Sequence, residues 1–273
     1  MKTFRVVSQL VRSRIISMLK EGSRIDDRGL LDYRPIDVKC GLISRANGSA
    51  QVSIGSTKVL AGVKVGIGEP FSDVPDQGVL AVNAELVPLA SPAFEPGPPD
   101  ETAIELARVI DRTLRETKTI DLKSLCIEPG RRVFVVFLDI YVLDHDGNFI
   151  DASALASILA LLNTRIRKFS VDEGELRYEE EYVPLPVLHT PVTITLAKPD
   201  YGPFIVDPNL EEELSLDNRV CISVDELGRI CAIQKLDGSL SVDEVFEAVS
   251  IACKTAPKLI EIVRRESGLD AGS

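Results

Sequence analysis

Residues 132–143 read RVFVVFLDIYVL, and only Arg132 and Asp139 in that run carry charge. Val, Ile, Phe and Tyr suit a pleated backbone, and here apolar side chains occupy both alternations. The pattern predicts a strand inside a sheet covered on both faces. Asp144-His145-Asp146-Gly147-Asn148 follows at once and predicts a turn. Beyond it, residues 151–169 (DASALASILALLNTRIRKF) predict a second apolar helix. Its Arg165-Ile166-Arg167-Lys168 would then suit the negative end of a helix dipole.

Working upstream, residues 100–118 predict an amphipathic helix. Asp100 or Thr102 can cap it, and Thr102 with Glu105 makes a capping box. Ile104, Leu106, Ala107, Val109, Ile110 and Leu114 point one way, while Arg108, Arg112 and Arg115, at steps of four and three, share a face. Residues 36–43, 50–54, 57–67 and 79–89 have strand character, with turn dipeptides at Asn47-Gly48 and Gly55-Ser56. Residues 92–99 (PAFEPGPP) form an irregular loop, and residues 4–19 an N-terminal amphipathic helix stopped at Gly22.

Downstream, residues 171–187 (VDEGELRYEEEYVPLPV) are acidic, contain proline and lack periodicity, which marks an irregular linker. Strands follow at 188–197 and 204–206, then a hairpin at 219–224 and 229–234 around Glu226-Leu227-Gly228. A helix over 241–265 closes the pattern, with Ser241 and Glu244 as a capping box and Pro257 expected to kink or split it. Strands followed by helices, twice, predict an α+β fold. The division is 1–170 (N-terminal helix and first domain), a linker at 171–187, and a second domain at 188–273.

The 273 residues are 45% hydrophobic and 27% charged, enough for a sizeable core and two domains. No apolar run approaches the ~20 residues that cross a bilayer, so no membrane partner is expected. Arg5, Arg12, Arg14 and Lys20 interrupt the first twenty residues and leave no signal-peptide core, so a cytoplasmic location is expected. The five cysteines are scattered without a C-x-x-C pair, as reduced core residues would be. His145 and His189 are the sole histidines, too few for a histidine-built zinc site. Net charge is −11, yet residues 1–45 hold ten basic and five acidic side chains. Any polyanion contact would therefore use a restricted patch.

Enzyme signatures test poorly. Gly55-Ser56-Thr57-Lys58 and Gly66-Ile67-Gly68 lack the spacing that cradles a triphosphate. Gly147 comes too early for a calcium loop built on Asp144 and Asp146. No G-x-S-x-G supports serine chemistry. The Arg108, Arg112 and Arg115 face reads either as a solvated surface paired to Glu105, Asp111 and Glu116, or as guanidinium forks for consecutive RNA phosphates. Asp207 with Glu211, Glu212 and Glu213 reads either as a helix start, Asp207 capping and Pro208 first, or as a magnesium site.

The chain resembles the RNase PH family. Arg24-Ile25-Asp26-Asp27-Arg28 to Arg34-Pro35-Ile36, then Asn47-Gly48-Ser49-Ala50 and Gly55-Ser56-Thr57-Lys58-Val59-Leu60, resemble its opening strands. Asp146-Gly147-Asn148 resembles its phosphate-site turn, and Pro203-Phe204-Ile205-Val206-Asp207-Pro208 the start of its acidic motif. Glu105-Leu106-Ala107-Arg108-Val109-Ile110-Asp111-Arg112 and Ile127-Glu128-Pro129-Gly130 are particularly similar to the non-catalytic, RNase PH-like ring subunits of archaeal exosomes. The resemblance implies a first domain like domain 2 of ribosomal protein S5, plus a smaller α+β C-terminal domain.

Two departures from the family pattern matter. Active members carry an arginine pair before the E-L of the long helix; Glu101-Thr102-Ala103 stands here. Active members follow the aspartate turn with Gly-Thr-Arg to hold inorganic phosphate; Asn148, Phe149 and Ile150 stand here. Phosphorolysis brings an anionic nucleophile to an anionic backbone and needs preorganised positive charge. The resemblance thus implies no catalytic residues, no metal and no cofactor, with Asp207 and Glu213 as a vestigial acidic pair. It implies pairing with an active RNase PH-like paralogue, three such pairs closing a hexameric ring capped by RNA-binding proteins. Arg108 and Arg112, with Arg115 less central, would contact single-stranded RNA. The competing expectation is an independently active phosphorolytic or magnesium-dependent exoribonuclease using Asp207, Glu213 and Asp146; a small-molecule enzyme has no complete motif behind it.

Overall fold

The computed structural model describes residues 8–172 and 175–268. After α1 (Gln9–Lys20), the first sheet forms from β1 (Ile36–Cys40), β2 (Gly48–Ile54), β3 (Thr57–Gly68), β4 (Val79–Leu86), β5 (Cys126–Glu128) and β6 (Arg132–Asp144). Its order is β1-β2-β3-β6-β4, with β5 also paired to β6. Only β4 runs parallel to its neighbour β6. Between β4 and β5 lies α2 (Glu101–Glu116), capped by Asp100, whose carboxylate accepts the Ala103 N–H at 2.8 Å. With Asp100 at the cap, Thr102 falls inside the first turn and the Thr102–Glu105 box does not form.

The long strand β6 corrects one expectation. Val136, Leu138, Ile140 and Val142 are buried, but Phe137 on the other face is 39% exposed. A single helical layer covers this sheet, so one face stays partly open. That layer is led by α3 (Phe149–Leu162), which touches β2, β3 and β6 on one side and β9 (Val192–Lys198) on the other. Sandwiched in this way, α3 is buried from Ile150 through Leu161, which is why its sequence is apolar all round.

The helix ends at Leu162, short of the expected 169. Asn163 caps it, and Arg165-Ile166-Arg167 alternates exposed, buried, exposed, a period-two pattern. These residues open β7 (Arg165–Asp172), antiparallel to β8 (Glu175–Pro184). The basic run is therefore on a strand, and the segment read as an irregular linker is largely a hairpin.

The second sheet runs β10-β9-β11-β12, all antiparallel, with β10 (Ile205–Val206), β11 (Asn218–Val224) and β12 (Ile230–Asp237). Preceding β11 is the short α4 (Leu210–Ser215), and α5 (Val242–Ser267) ends the fold. Ser241 and Glu244 form the expected capping box on α5. Pro257 does not split this helix, whose Ala252, Ala256, Leu259 and Val263 are buried on both sides of it. Helices α2, α3 and α5 each touch strands of both sheets, and one hydrophobic core runs through the whole.

Ile15 and Leu19 dock α1 on Ala197, Ile205 and Leu216 of its own chain. The expected start of that helix at 4–7 lies outside the described residues. All five cysteines are free thiols, but only Cys221 is buried and Cys40 is exposed, so the core reading holds for Cys221 alone. No described helix is long and apolar enough to cross a membrane.

Candidate functional site

The turn after β6 sets the site. Gly147 has φ +81°, and a Cβ there would lie 2.4 Å from the Asn209 carbonyl carbon and 2.5 Å from the Leu210 nitrogen. Only glycine lets the turn pass this close to the chain entering α4. The Leu210 N–H donates to the Asp146 carbonyl at 3.1 Å, which stitches the two segments together. Asn148, at φ +52°, heads α3 without capping it through its side chain. Its N–H donates instead to Glu213 Oε1 at 2.9 Å, and its Nδ2 to Asp151 Oδ2 at 2.9 Å and Asp207 Oδ1 at 2.8 Å.

Asp207 is fully buried with φ +50°. Its Oδ2 accepts from the Arg34 N–H, Arg34 Nε and Arg28 Nη1, each at 2.9 Å, while Oδ1 accepts from Arg34 Nη2 at 2.8 Å. Burial works to raise its pKa, but the Arg34 bonds and charge, with Asn148, outweigh it and hold the carboxyl below the ordinary range. Beside it, Arg24, buried like its partner, grips Glu212 with Nε at 2.9 Å and Nη2 at 2.5 Å, and reaches the Val206 and Asp207 carbonyls. Glu213 takes Arg219 Nη1 at 3.0 Å; burial nevertheless lifts its pKa above the usual carboxylate value.

This network corrects the helix-start reading of Asp207. The N-cap of α4 is Asn209, in a capping box with Glu212, and Asp207 is turned inward to the arginines. Guanidinium groups occupy Asp207, Glu212 and Glu213, the acids of the magnesium alternative. Arg34 has no spare fork for an external phosphate: Nη1 donates to the Asp146 carbonyl at 2.6 Å and Nη2 also to the Gly147 carbonyl at 3.2 Å. Ile150 is 9% exposed and supplies no charge. The one metal-capable cluster among the described residues is His189, Asp225 and Glu226, where Asp225 is bonded by Arg229 Nε at 2.6 Å.

Sequence reasoning missed Arg24, Arg28, Tyr33, Arg34, Asp151 and Arg219 as members of this site. The excess of basic residues in 1–45 was the available signal. It was read as a patch for a polyanion, whereas Arg24, Arg28 and Arg34 neutralise acids of the same chain.

Asp151 is also fully buried and accepts from Tyr33 Oη at 2.7 Å, Asn148 Nδ2, and both the N–H and Oγ1 of Thr195. Burial dominates those bonds and lifts its pKa from 3.8 to about 6. The folded value lies above the unfolded one, so in that window the native state keeps a proton the unfolded chain has lost. This contribution to stability is fully present below about pH 4 and is lost as pH rises to about 6. Urea unfolding of wild type against Asp151→Asn should show the difference in unfolding free energy moving against wild type by up to about 3 kcal/mol across that range.

The three arginines of α2 do not act alike. Arg115 donates to Asp111 at 2.7 and 3.2 Å and to the Leu80 carbonyl at 3.3 Å, the solvated-helix arrangement. Arg108 and Arg112 have no ion-pair partner among the described residues. They line a groove of about 900 Å³ between α2 and the β11–β12 hairpin, where Glu101, Glu105 and Asp111 also stand, while Arg115 lines a different hollow. The structure thus brings two of the three together and sets the third apart.

Comparisons with known proteins bear on this arrangement. Residues 32–167 match the model of the 3′ exoribonuclease family, domain 1, and residues 189–255 that of domain 2. The exosome complex component Rrp42 of Thermococcus gammatolerans is 51% identical over 271 residues, covering 98% of this chain and 99% of that one. The protein of the same name from Methanothermobacter thermautotrophicus is 46% identical, covering 94% and 95%. Among solved structures, a chain of the Archaeoglobus fulgidus exosome with RNA bound to the active site superposes with a TM-score of 0.85 at 43% identity, covering 92% of this chain and 97% of that one. A chain of an archaeal exosome core gives 0.82 at 40% identity, covering 93% and 96%.

Proposed function

Because the chain belongs to the RNase PH family of 3′ exoribonucleases, we propose that it is a non-catalytic ring subunit of an archaeal-type RNA exosome. It pairs with an active RNase PH-like paralogue in a trimer of heterodimers beneath RNA-binding cap proteins. It helps shape the paralogue's phosphorolytic 3′-to-5′ site and lends Arg108 and Arg112 to the RNA path. The two-domain division around 171–187 belongs to the same reading.

One observation carries the absence of activity: the turn at Asn148–Ile150 is closed by the chain's own carboxylates. Asn148 gives its N–H to Glu213 and its amide to Asp151 and Asp207, and Ile150 presents no cation. Phosphate entering here would meet three carboxylates and no free guanidinium, where phosphorolysis requires the reverse. Arg108 and Arg112, exposed in a groove and without an ion-pair partner among the described residues, support the RNA contact.

The purified chain with poly(A) and inorganic phosphate should release no nucleoside diphosphates, and adding the paralogue should yield degradation. Release by the chain alone, abolished by Asp207→Asn, would overturn the reading. In the assembled ring, changing both Arg108 and Arg112 to alanine should weaken single-stranded RNA binding at least about tenfold, since a hydrogen bond to a charged group contributes ~1.5–3 kcal/mol. Ring size on gel filtration should not change.

A further inference from the structure

A second hollow, of about 660 Å³, opens between the β1–β2 loop, β3 and the start of β7, and shares no lining residue with the α2 groove. Arg45, Lys64 and Arg165 line it together with Asn47 and Tyr182, and among the described residues no carboxylate lines it. None of the three cations has an ion-pair partner among the described residues. On a chain of net charge −11, three cations line one hollow with no acid among its described residues.

Asn47 fixes them relative to one another. Its N–H donates to the Val63 carbonyl at 2.8 Å, and its Oδ1 accepts the Val65 N–H at 3.1 Å, so the loop is tied to β3 on either side of Lys64. Its Nδ2 donates to the Arg165 carbonyl at 2.9 Å, and the Arg165 N–H donates back to the Asn47 carbonyl at 2.9 Å. Lys64 Nζ donates to the Arg45 carbonyl at 3.3 Å. The backbones that carry these like charges are held together before any ligand arrives, a cost in repulsion that an external anion relieves. Tyr182, 57% exposed, adds an aromatic face.

We infer that this hollow binds the sugar–phosphate backbone of single-stranded RNA, as a contact separate from the Arg108–Arg112 groove. The choice of RNA over an acidic protein rests on the exosome reading and on the pairing of cations with an open ring, the combination that holds unpaired strands by phosphate contact and base stacking.

The test is a triple variant, Arg45→Ala, Lys64→Ala and Arg165→Ala, of the full chain, with labelled oligo(A) followed by anisotropy over a salt series. Affinity should fall at least about tenfold, and the log–log salt slope should become shallower by about 2, from ~0.7 per phosphate lost on a single strand. The melting temperature and assembly with the paralogue should be unchanged. Affinity and slope equal to wild type would overturn the site, as would a variant that binds RNA normally but no longer assembles. Because Arg108→Ala with Arg112→Ala is measured in parallel, failure confined to the triple variant would sink this hollow and leave the exosome reading standing.

Discussion

Arg34→Ala should lower the unfolding free energy by about 3–5 kcal/mol, the range for removing one partner of a buried ion pair. The guanidinium contributes Nε and Nη2 to the two oxygens of Asp207, and reaches the Asp146 and Gly147 carbonyls. Without it, a fully buried carboxylate retains only Arg28, the Arg34 backbone N–H and Asn148. In thermal unfolding the shift should be about 6–20 °C, taking 2–4 °C per kcal/mol for a chain of this size. Asp207→Asn in the Arg34→Ala background should recover part of the loss, because the stranded charge goes with it. A melting temperature unmoved by Arg34→Ala would mean that the network contributes nothing net.

Gly147→Val should be comparably severe, roughly 4 kcal/mol or failure to yield soluble protein. A left-handed backbone costs a side-chain-bearing residue of order 1–3 kcal/mol, and forced overpacking typically ~1–3 more. The atoms in the way are backbone: the Asn209 carbonyl carbon, the Leu210 nitrogen and, at 2.7 Å, the Pro208 oxygen. Backbone cannot rotate aside as a side chain does. The segment holding Asp207 and Glu213 would have to withdraw from the turn, and the Asn148–Glu213 bond would lengthen first. Guanidinium titration checks this, with Gly228→Val as the control, since Gly228 shares a positive φ of 76° but has nothing within 4 Å.

What could be read from the residues was what is local. The continuous run of Val, Phe, Ile and Leu in 132–143 placed β6, though not its half-open face, and the spacing of Leu106, Val109, Ile110 and Leu114 placed the buried side of α2. Ser241 and Glu244 marked the start of α5 because a capping box is complete within four residues. The 165–184 hairpin escaped because charge and proline obscured its short alternation, and Pro257 misled because the buried small residues flanking it hold α5 together. The arginine partners of Asp207 and its neighbours escaped for a different reason. Asp207 and Arg34 are 173 positions apart, and Arg24 and Glu212 are 188 apart. Nothing within either neighbourhood announces the other, so the residues leave Asp207 between a helix start and a magnesium site, and its buried arginines out of view.

That distance has a kinetic consequence. A ribosome adding ~5–20 residues per second makes Arg24, Arg28 and Arg34 roughly ten to forty seconds before the acids that neutralise them exist. For that interval the N-terminal arm, residues 1–45 with ten basic against five acidic side chains, lacks the acids that later bury its arginines and can engage ribosomal or messenger phosphates. The arm finds its buried partners only when the last quarter of the molecule is synthesised, so closure of this latch is a late event that joins the first-made cations to the last-made acids.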